Sequence, residues 1–184
     1  IQEVGLYAAA YGLASRPFLM LSGVIQQTLR PVLQNAASNG TTKEVLAIKR
    51  RMLIISVSGS VFGIISFLLL KDIVGNIFLA KEYRSAITLM PWIALGYGFL
   101  CIASGYTRLC YAFDATKYVL ALTTSGALIG LLILIPAALL YGLSGAVIAV
   151  PIRFAIELML SMAFSQKAVA RHRNPAHTKA HEQA

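Results

Sequence analysis

The sequence predicts an all-α integral membrane protein, a bundle of five transmembrane helices. Hydrophobic residues make up 58% of the 184 residues and charged residues only 12%, whereas soluble domains contain about a quarter charged residues. The mean hydropathy is +0.72. Long uncharged runs alternate with short charged segments, and a helical run of about 20 residues crosses a hydrocarbon core of ~30 Å.

The first span is predicted at about 4–29, and it contains a single charge, Arg16. A helix of that length extends roughly 39 Å, enough to cross the membrane with some tilt. A polar segment follows at 31–51, in which Asn39-Gly40 is a turn signal. We interpret 31–51 as a cytoplasmic amphipathic segment, a helix, a turn and a helix lying at the membrane surface.

The second and third spans are predicted at 52–70 and 86–107, joined by a short polar connection. Gly59 and Gly63 in the second span have the GxxxG spacing, which lets a neighbouring helix approach closely. This motif fits simple packing and also an interface that moves during function, so both interpretations stay open.

The last uncharged run is too long for one span. Turn-forming residues at 141–145 divide it, which predicts a fourth span at 118–140 and a fifth at 143–164. The fourth span contains a second GxxxG pair, Gly126 and Gly130.

Lysine and arginine are distributed unevenly between the two sides that five crossings create. The side that contains the segment 31–51 and the C-terminus has eleven: Arg30, Lys43, Lys49, Arg50, Arg51, Arg108, Lys117, Lys167, Arg171, Arg173 and Lys179. The other side has three: Lys71, Lys81 and Arg84. Because cytoplasmic loops are enriched in Lys and Arg, the segment 31–51 and the C-terminus are predicted to be cytoplasmic. The basic tail at 166–184 is predicted to be disordered.

This topology places the start of the chain outside, so we expect at least one further span upstream. The net charge of +9 lies at the flanks of the membrane spans, and nucleic acid is therefore not expected as a partner.

The fifth span contains two charged residues, Arg153 and Glu157, which lie four residues apart and hence on one helix face. One interpretation is an intrahelical ion pair that neutralises itself inside the bundle. The other is a polar group that lines a central cavity, because ionisable residues within the membrane commonly mark a functional path.

Arg16 has no acidic residue three or four positions away. A charge at the centre of a span costs about 2.5–3.5 kcal/mol on insertion scales. Arg16 therefore requires a partner on another helix, a water-filled cavity or a substrate. Its planar guanidinium is suited to phosphate groups. We take Arg16, Arg153 and Glu157 as candidate substrate-binding or cavity residues.

The spans contain neither a Ser–His–acid set nor a phosphate-binding loop, so we do not expect an enzyme. All three histidines lie in the tail, and Cys101 and Cys110 lie in or next to apolar runs without a CxxC motif. We expect neither a metal site nor a cofactor.

Three stretches of the sequence resemble the bacterial polysaccharide (O-antigen and exopolysaccharide) flippases. VGLYAAAYGLASRPFLMLSGVIQQTLRPVL, from Val4 onward, is similar to a span and the polar helix after it in that family. IFLAKEYRSAITLMP is similar to the short outer loop of the family, and GLSGAVIAVPIRFAIELML to its final span. The resemblance covers nearly the whole chain.

The resemblance implies the MOP superfamily, which also includes the multidrug (MATE) exporters, with two pseudo-symmetric lobes around a central cavity. This chain is then most of the C-terminal lobe. The implied function is the alternating-access transfer of undecaprenyl-pyrophosphate-linked oligosaccharide across the bacterial inner membrane for polysaccharide biosynthesis, including that of lipopolysaccharide. Arg16 and Arg153 are the candidates for the cationic cavity residues of that family. The implied partners are the lipid-linked oligosaccharide, membrane lipids, the missing N-terminal half and the polysaccharide polymerase machinery.

Two other functions stay open. A cation-coupled multidrug exporter requires unpaired buried carboxylates, and the spans offer only Glu157. A membrane scaffold for polysaccharide enzymes, which transports nothing, predicts that no water-accessible cavity exists at Arg16.

Overall fold

The computed structural model describes residues 2–39, 41–79, 81–113 and 115–173, and every regular element within these ranges is helical. The elements are α1 (Gln2–Asn39), α2 (Thr42–Phe78), a 3₁₀ helix (Lys81–Thr88), α3 (Met90–Ala112) and α4 (Thr116–Arg173). The described part of the chain has four helices that are long and apolar enough to cross a membrane. The predicted all-α class is confirmed, and the length and composition of these four helices are consistent with a multi-pass membrane protein.

The polar segment 31–51 continues α1 and α2 rather than forming separate surface helices. α1 runs through Pro31 to Asn39, since a proline removes one backbone hydrogen bond without having to end the helix. α2 starts after Thr41, whose hydroxyl accepts the backbone N–H of Glu44 while the Glu44 carboxylate accepts the N–H of Thr41. This capping box fixes where α2 begins. Of the predicted turn at Asn39-Gly40, Asn39 is the last residue of α1, and Gly40 lies outside the described residues.

α3 is the central helix, because it packs against α1, α2 and α4 and is the most buried of the four. Two of its glycines allow close approach. Gly96 lies against Phe154 of α4, and Gly98 lies against Ile64 of α2. The Gly98 carbonyl also accepts a hydrogen bond of 3.2 Å from the hydroxyl of Ser60.

The first GxxxG pair lies at the contact between α2 and α1. A methyl group at Gly59 would come within 2.8 Å of Leu21, and one at Gly63 within 3.1 Å of Phe18. The expected close approach of a neighbouring helix is therefore present at this motif.

α4 folds back on itself at Gly142. Its φ of 59° and ψ of −139° fall in a region that residues other than glycine rarely adopt. The arms on either side, 116–141 and 143–173, lie antiparallel to each other. Facing pairs connect them in reverse order: Gly126 with Glu157, Gly130 with Arg153, and Tyr118 with Phe164.

The predicted count of five transmembrane helices is not confirmed. The predicted spans 118–140 and 143–164 form the two arms of the single element α4, and Gly142 lies inside the predicted break at 141–145. Because the chain reverses at this glycine without a separate loop, four helices rather than five are candidate spans in the described residues.

The basic segments meet at one end of the bundle. Leu33 of α1, Val45 of α2 and Leu109 of α3 form a buried cluster, and Val169 of α4 packs against it. The helix ends that carry most of the Lys and Arg residues therefore lie together, as the charge asymmetry predicts. α4 stays helical to Arg173, so the tail predicted at 166–184 begins within this helix, and residues 174–184 lie outside the described part.

Candidate functional site

Arg153 lies about a third of the way along the second arm of α4. It is half-buried, and it lies roughly 16 Å along the arm from Gly142 at 1.5 Å per residue, about half the thickness of a ~30 Å hydrocarbon core. Its guanidinium carbon is 5.1 Å from the centre of the Phe154 ring. Its Nε is buried and has no hydrogen-bond partner. The helices thus hold a guanidinium with a free donor inside an apolar bundle.

The GxxxG pair of the first arm makes room for the charged residues of the second. A methyl group at Gly130 would come within 2.8 Å of the Arg153 Nε, and one at Gly126 would lie 3.7 Å from the Glu157 carboxylate. Arg153 and Glu157 therefore share the arm face that is turned toward these glycines. The Arg153 Nε does not donate a hydrogen bond to Glu157, since it has no acceptor.

A row of aromatic rings connects three helices to Arg153. Tyr7 stacks on Tyr11 at 5.6 Å between ring centres, Tyr11 meets Tyr97 edge to face at 5.5 Å, and Tyr97 meets Phe154 at 5.3 Å. The Tyr97 hydroxyl donates a hydrogen bond to the Tyr11 hydroxyl. We call these four residues the aromatic row. It begins on α1, crosses α3 and ends on α4 beside Arg153.

The aromatic row was not recognised in the sequence. Tyr7 and Tyr11 have the spacing of neighbours on one helix face, which is a usable signal. Tyr97 and Phe154 join them only through the packing of α3 between α1 and α4.

Arg16 lies apart from this group. Its side chain is exposed, and it projects roughly 140° around α1 from Tyr11 at 3.6 residues per turn. The structure therefore brings together two of the three candidate residues, Arg153 and Glu157, and places Arg16 on the opposite, exposed side of α1.

The groups around Arg153 combine a positive charge with aromatic rings and hydroxyls. A guanidinium can donate two parallel hydrogen bonds to a phosphate, and tyrosine offers a flat apolar ring together with a hydroxyl that donates and accepts. In the residues that the structure describes, no group of three or more His, Cys, Asp or Glu side chains could hold a metal ion. Both cysteines, Cys101 and Cys110, are free and buried.

No protein-family model, curated protein or solved structure matches this chain. A functional assignment therefore relies on the geometry around Arg153 and on the motifs in the sequence.

Proposed function

We propose that this chain is the C-terminal lobe of a flippase that carries undecaprenyl-pyrophosphate-linked oligosaccharide across the bacterial inner membrane by alternating access. In this proposal both arms of α4 cross the membrane, which gives five crossings with the C-terminus in the cytoplasm. The excess of Lys and Arg at one end of the bundle supports this orientation.

The observation that carries the proposal is the buried, unpartnered Nε of Arg153. Leaving a buried charged donor without an acceptor costs more than leaving a neutral one, so the arrangement favours a protein that recovers the cost when an anion binds. A pyrophosphate headgroup supplies such an anion at mid-depth. Tyr7 and Tyr11, the two half-buried tyrosines of the aromatic row, would offer their rings to the sugars that the headgroup carries.

Arg16 has a different role in this proposal. Its exposed position on α1 suits a face that lines the cavity between this lobe and a second lobe. The substrate would then meet Arg16 on one side of its path and Arg153 deeper in the bundle.

A second candidate, a cation-coupled multidrug exporter, is favoured by one observation. Glu157 is half-buried in the apolar hairpin and faces Gly126, which has no side chain. A carboxylate in such a place can bind a cation or a proton. The positive charge of Arg153 one turn away opposes the binding of a cationic drug, and for that reason we place this candidate second.

The test is a translocation assay in proteoliposomes made from the intact membrane protein that contains these residues. Three substrates are compared: an undecaprenyl-pyrophosphate oligosaccharide, a neutral glycolipid with the same glycan, and a cationic dye. The flippase proposal expects transfer of the first substrate only. Export of the dye driven by a sodium or proton gradient would support the second candidate, and transfer of none of the three would support a scaffold.

A further inference from the structure

A second polar site lies at the basic end of the bundle, separate from Arg153. It is a cleft of about 410 Å³ between the C-terminal parts of α1 and α3. Two arginines, Arg30 and Arg108, line it together with the amides of Gln26, Gln27 and Gln34. None of the lining residues is acidic. Because both guanidinium groups line the same cleft, the cleft concentrates positive charge.

Arg108 is held in place by a chain of hydrogen bonds. Its Nη2 donates to the side-chain oxygen of Gln26, and the Gln26 amide donates at 2.7 Å to the hydroxyl of Ser22. The Ser22 hydroxyl in turn shares a hydrogen bond of 3.1 Å with Ser104. The Arg108 guanidinium also lies 5.4 Å from the ring centre of Tyr111. A fixed guanidinium loses less entropy when it binds a ligand than a mobile one.

The hydrogen bond to Gln26 leaves further N–H groups of Arg108 for a ligand. Arg30 and the glutamine amides add donors from α1. Two neighbouring guanidiniums repel each other, and an anion between them removes that repulsion. Phosphate fits best, because its oxygens accept hydrogen bonds from both planar forks at once.

A neighbouring cleft differs from this one in the charges of its lining residues. It lies between the end of α1 and the start of α2, and Arg51 lines it together with the acidic residue Glu44. That cleft contains both charges, whereas the Arg30–Arg108 cleft contains cations and neutral amides alone.

We propose that the Arg30–Arg108 cleft binds the phosphate group of an anionic lipid at the membrane surface. The ligand class is a phosphate or diphosphate ester, and the cleft recognises its headgroup. The open cleft at the end of two membrane helices gives the acyl or prenyl chain a route into the bilayer beside α1. This site does not depend on transport through the bundle, and it can exist whether or not the chain belongs to a flippase.

The test measures binding to the intact membrane protein that contains these residues, in a non-ionic detergent, with a dye on its N-terminal amine and thermophoresis as readout. The probes are dioleoylphosphatidylglycerol, farnesyl diphosphate and inorganic pyrophosphate, with dioleoylphosphatidylcholine as the neutral comparison. We expect one or more of the anionic probes to bind, and binding to weaken as ionic strength rises from about 0.05 M to about 0.5 M.

The variants are Arg30→Gln, Arg108→Gln and the double variant, with Arg51→Gln as the matched control. Each cleft variant should lower affinity about tenfold, while Arg51→Gln should leave it unchanged. Arg30 lies outside the Gln26–Ser22–Ser104 network, so Arg30→Gln keeps the test informative if Arg108→Gln fails to fold. Arg30→Lys should keep part of the affinity.

The pattern among the probes identifies the source of the phosphate. Preference for farnesyl diphosphate would indicate that the natural ligand is a polyprenyl diphosphate, and preference for phosphatidylglycerol would indicate a general anionic lipid. If pyrophosphate binds as tightly as the lipids, the ligand is a free anion, and the lipid part of the proposal is overturned. Wild-type affinity in the double variant, or no binding of any anionic probe to the wild-type chain, would overturn the site. Neither result bears on transport, so the proposed function is tested independently by the translocation assay.

Discussion

Arg153 lies against Gly130 across the hairpin of α4, and a methyl group at Gly130 would come within 2.8 Å of the Arg153 Nε. The GxxxG pair thus does more than bring two helical arms together. It opens a space in the apolar bundle that an arginine and, one turn away, a glutamate occupy.

Gly130→Ala should be less stable than Gly126→Ala, because the new methyl group displaces a buried part of the Arg153 side chain, while both variants gain the same helix propensity from alanine. Overpacking of this kind costs about 1–3 kcal/mol. Gly126→Ala is the matched control, since its methyl group would sit at an ordinary 3.7 Å from Glu157. Denaturant-induced unfolding in mixed micelles measures both variants. Equal stability of the two would show that Arg153 does not press on Gly130.

Gly142 should resist substitution because of its backbone conformation. Gly142→Ala forces a φ of 59° on a residue with a side chain, at a cost of about 1–3 kcal/mol. Ser144→Ala, two residues further and exposed, should change stability by less than about 0.5 kcal/mol. Thermal unfolding of the two variants compares them directly, and a Gly142→Ala protein as stable as Ser144→Ala would contradict the turn geometry.

The hydroxyls of Tyr11 and Tyr97 should be coupled, because Tyr97 donates a hydrogen bond to Tyr11. Either single substitution by Phe should cost about 0.5–1.5 kcal/mol. The double substitution should cost less than the sum, since both singles remove the same bond. A double-mutant cycle on unfolding free energy measures the coupling. Strict additivity would mean that the two hydroxyls do not interact.

If both arms of α4 cross the membrane, the turn at Gly142 and the start of the first arm at Lys117 should lie on opposite sides of it. Tyr141 and Lys117 are exposed, and both natural cysteines are free and buried, so an introduced cysteine is the accessible one. An impermeant maleimide on oriented vesicles should label Lys117→Cys and Arg51→Cys from one side and Tyr141→Cys from the other. Labelling of all three from one side would make the hairpin re-entrant and reduce the number of crossings.

Local patterns predicted much of the framework. Apolar runs located the helices, the charge count grouped the ends that meet around Leu33 and Leu109, and the turn formers at 141–145 located the reversal at Gly142. The lengths of α1 and α2 were not predicted, because 31–51 was interpreted as a segment separate from the spans, whereas α1 continues to Asn39 and α2 begins at the Thr41–Glu44 capping box.

The site was only partly predictable. Helical spacing places Arg153 and Glu157 on one face, but the space they occupy depends on glycines of another arm. The aromatic row and the Arg30–Arg108 cleft both depend on how α1 packs against α3. Such contacts between residues distant in sequence leave no periodic signal in a single chain.

The most direct test of the flippase proposal replaces Arg153 in the intact membrane protein and follows undecaprenyl-pyrophosphate oligosaccharide in proteoliposomes. Arg153→Gln should lower translocation about tenfold or more, Arg153→Lys should keep part of it, and the exposed Arg84→Gln should match the wild type. Arg16→Gln repeats the test at an exposed residue, where a substitution should not affect folding. Wild-type translocation in both Arg153→Gln and Arg16→Gln, at normal folded yield, would contradict the proposal that these cations serve an anionic lipid-linked substrate.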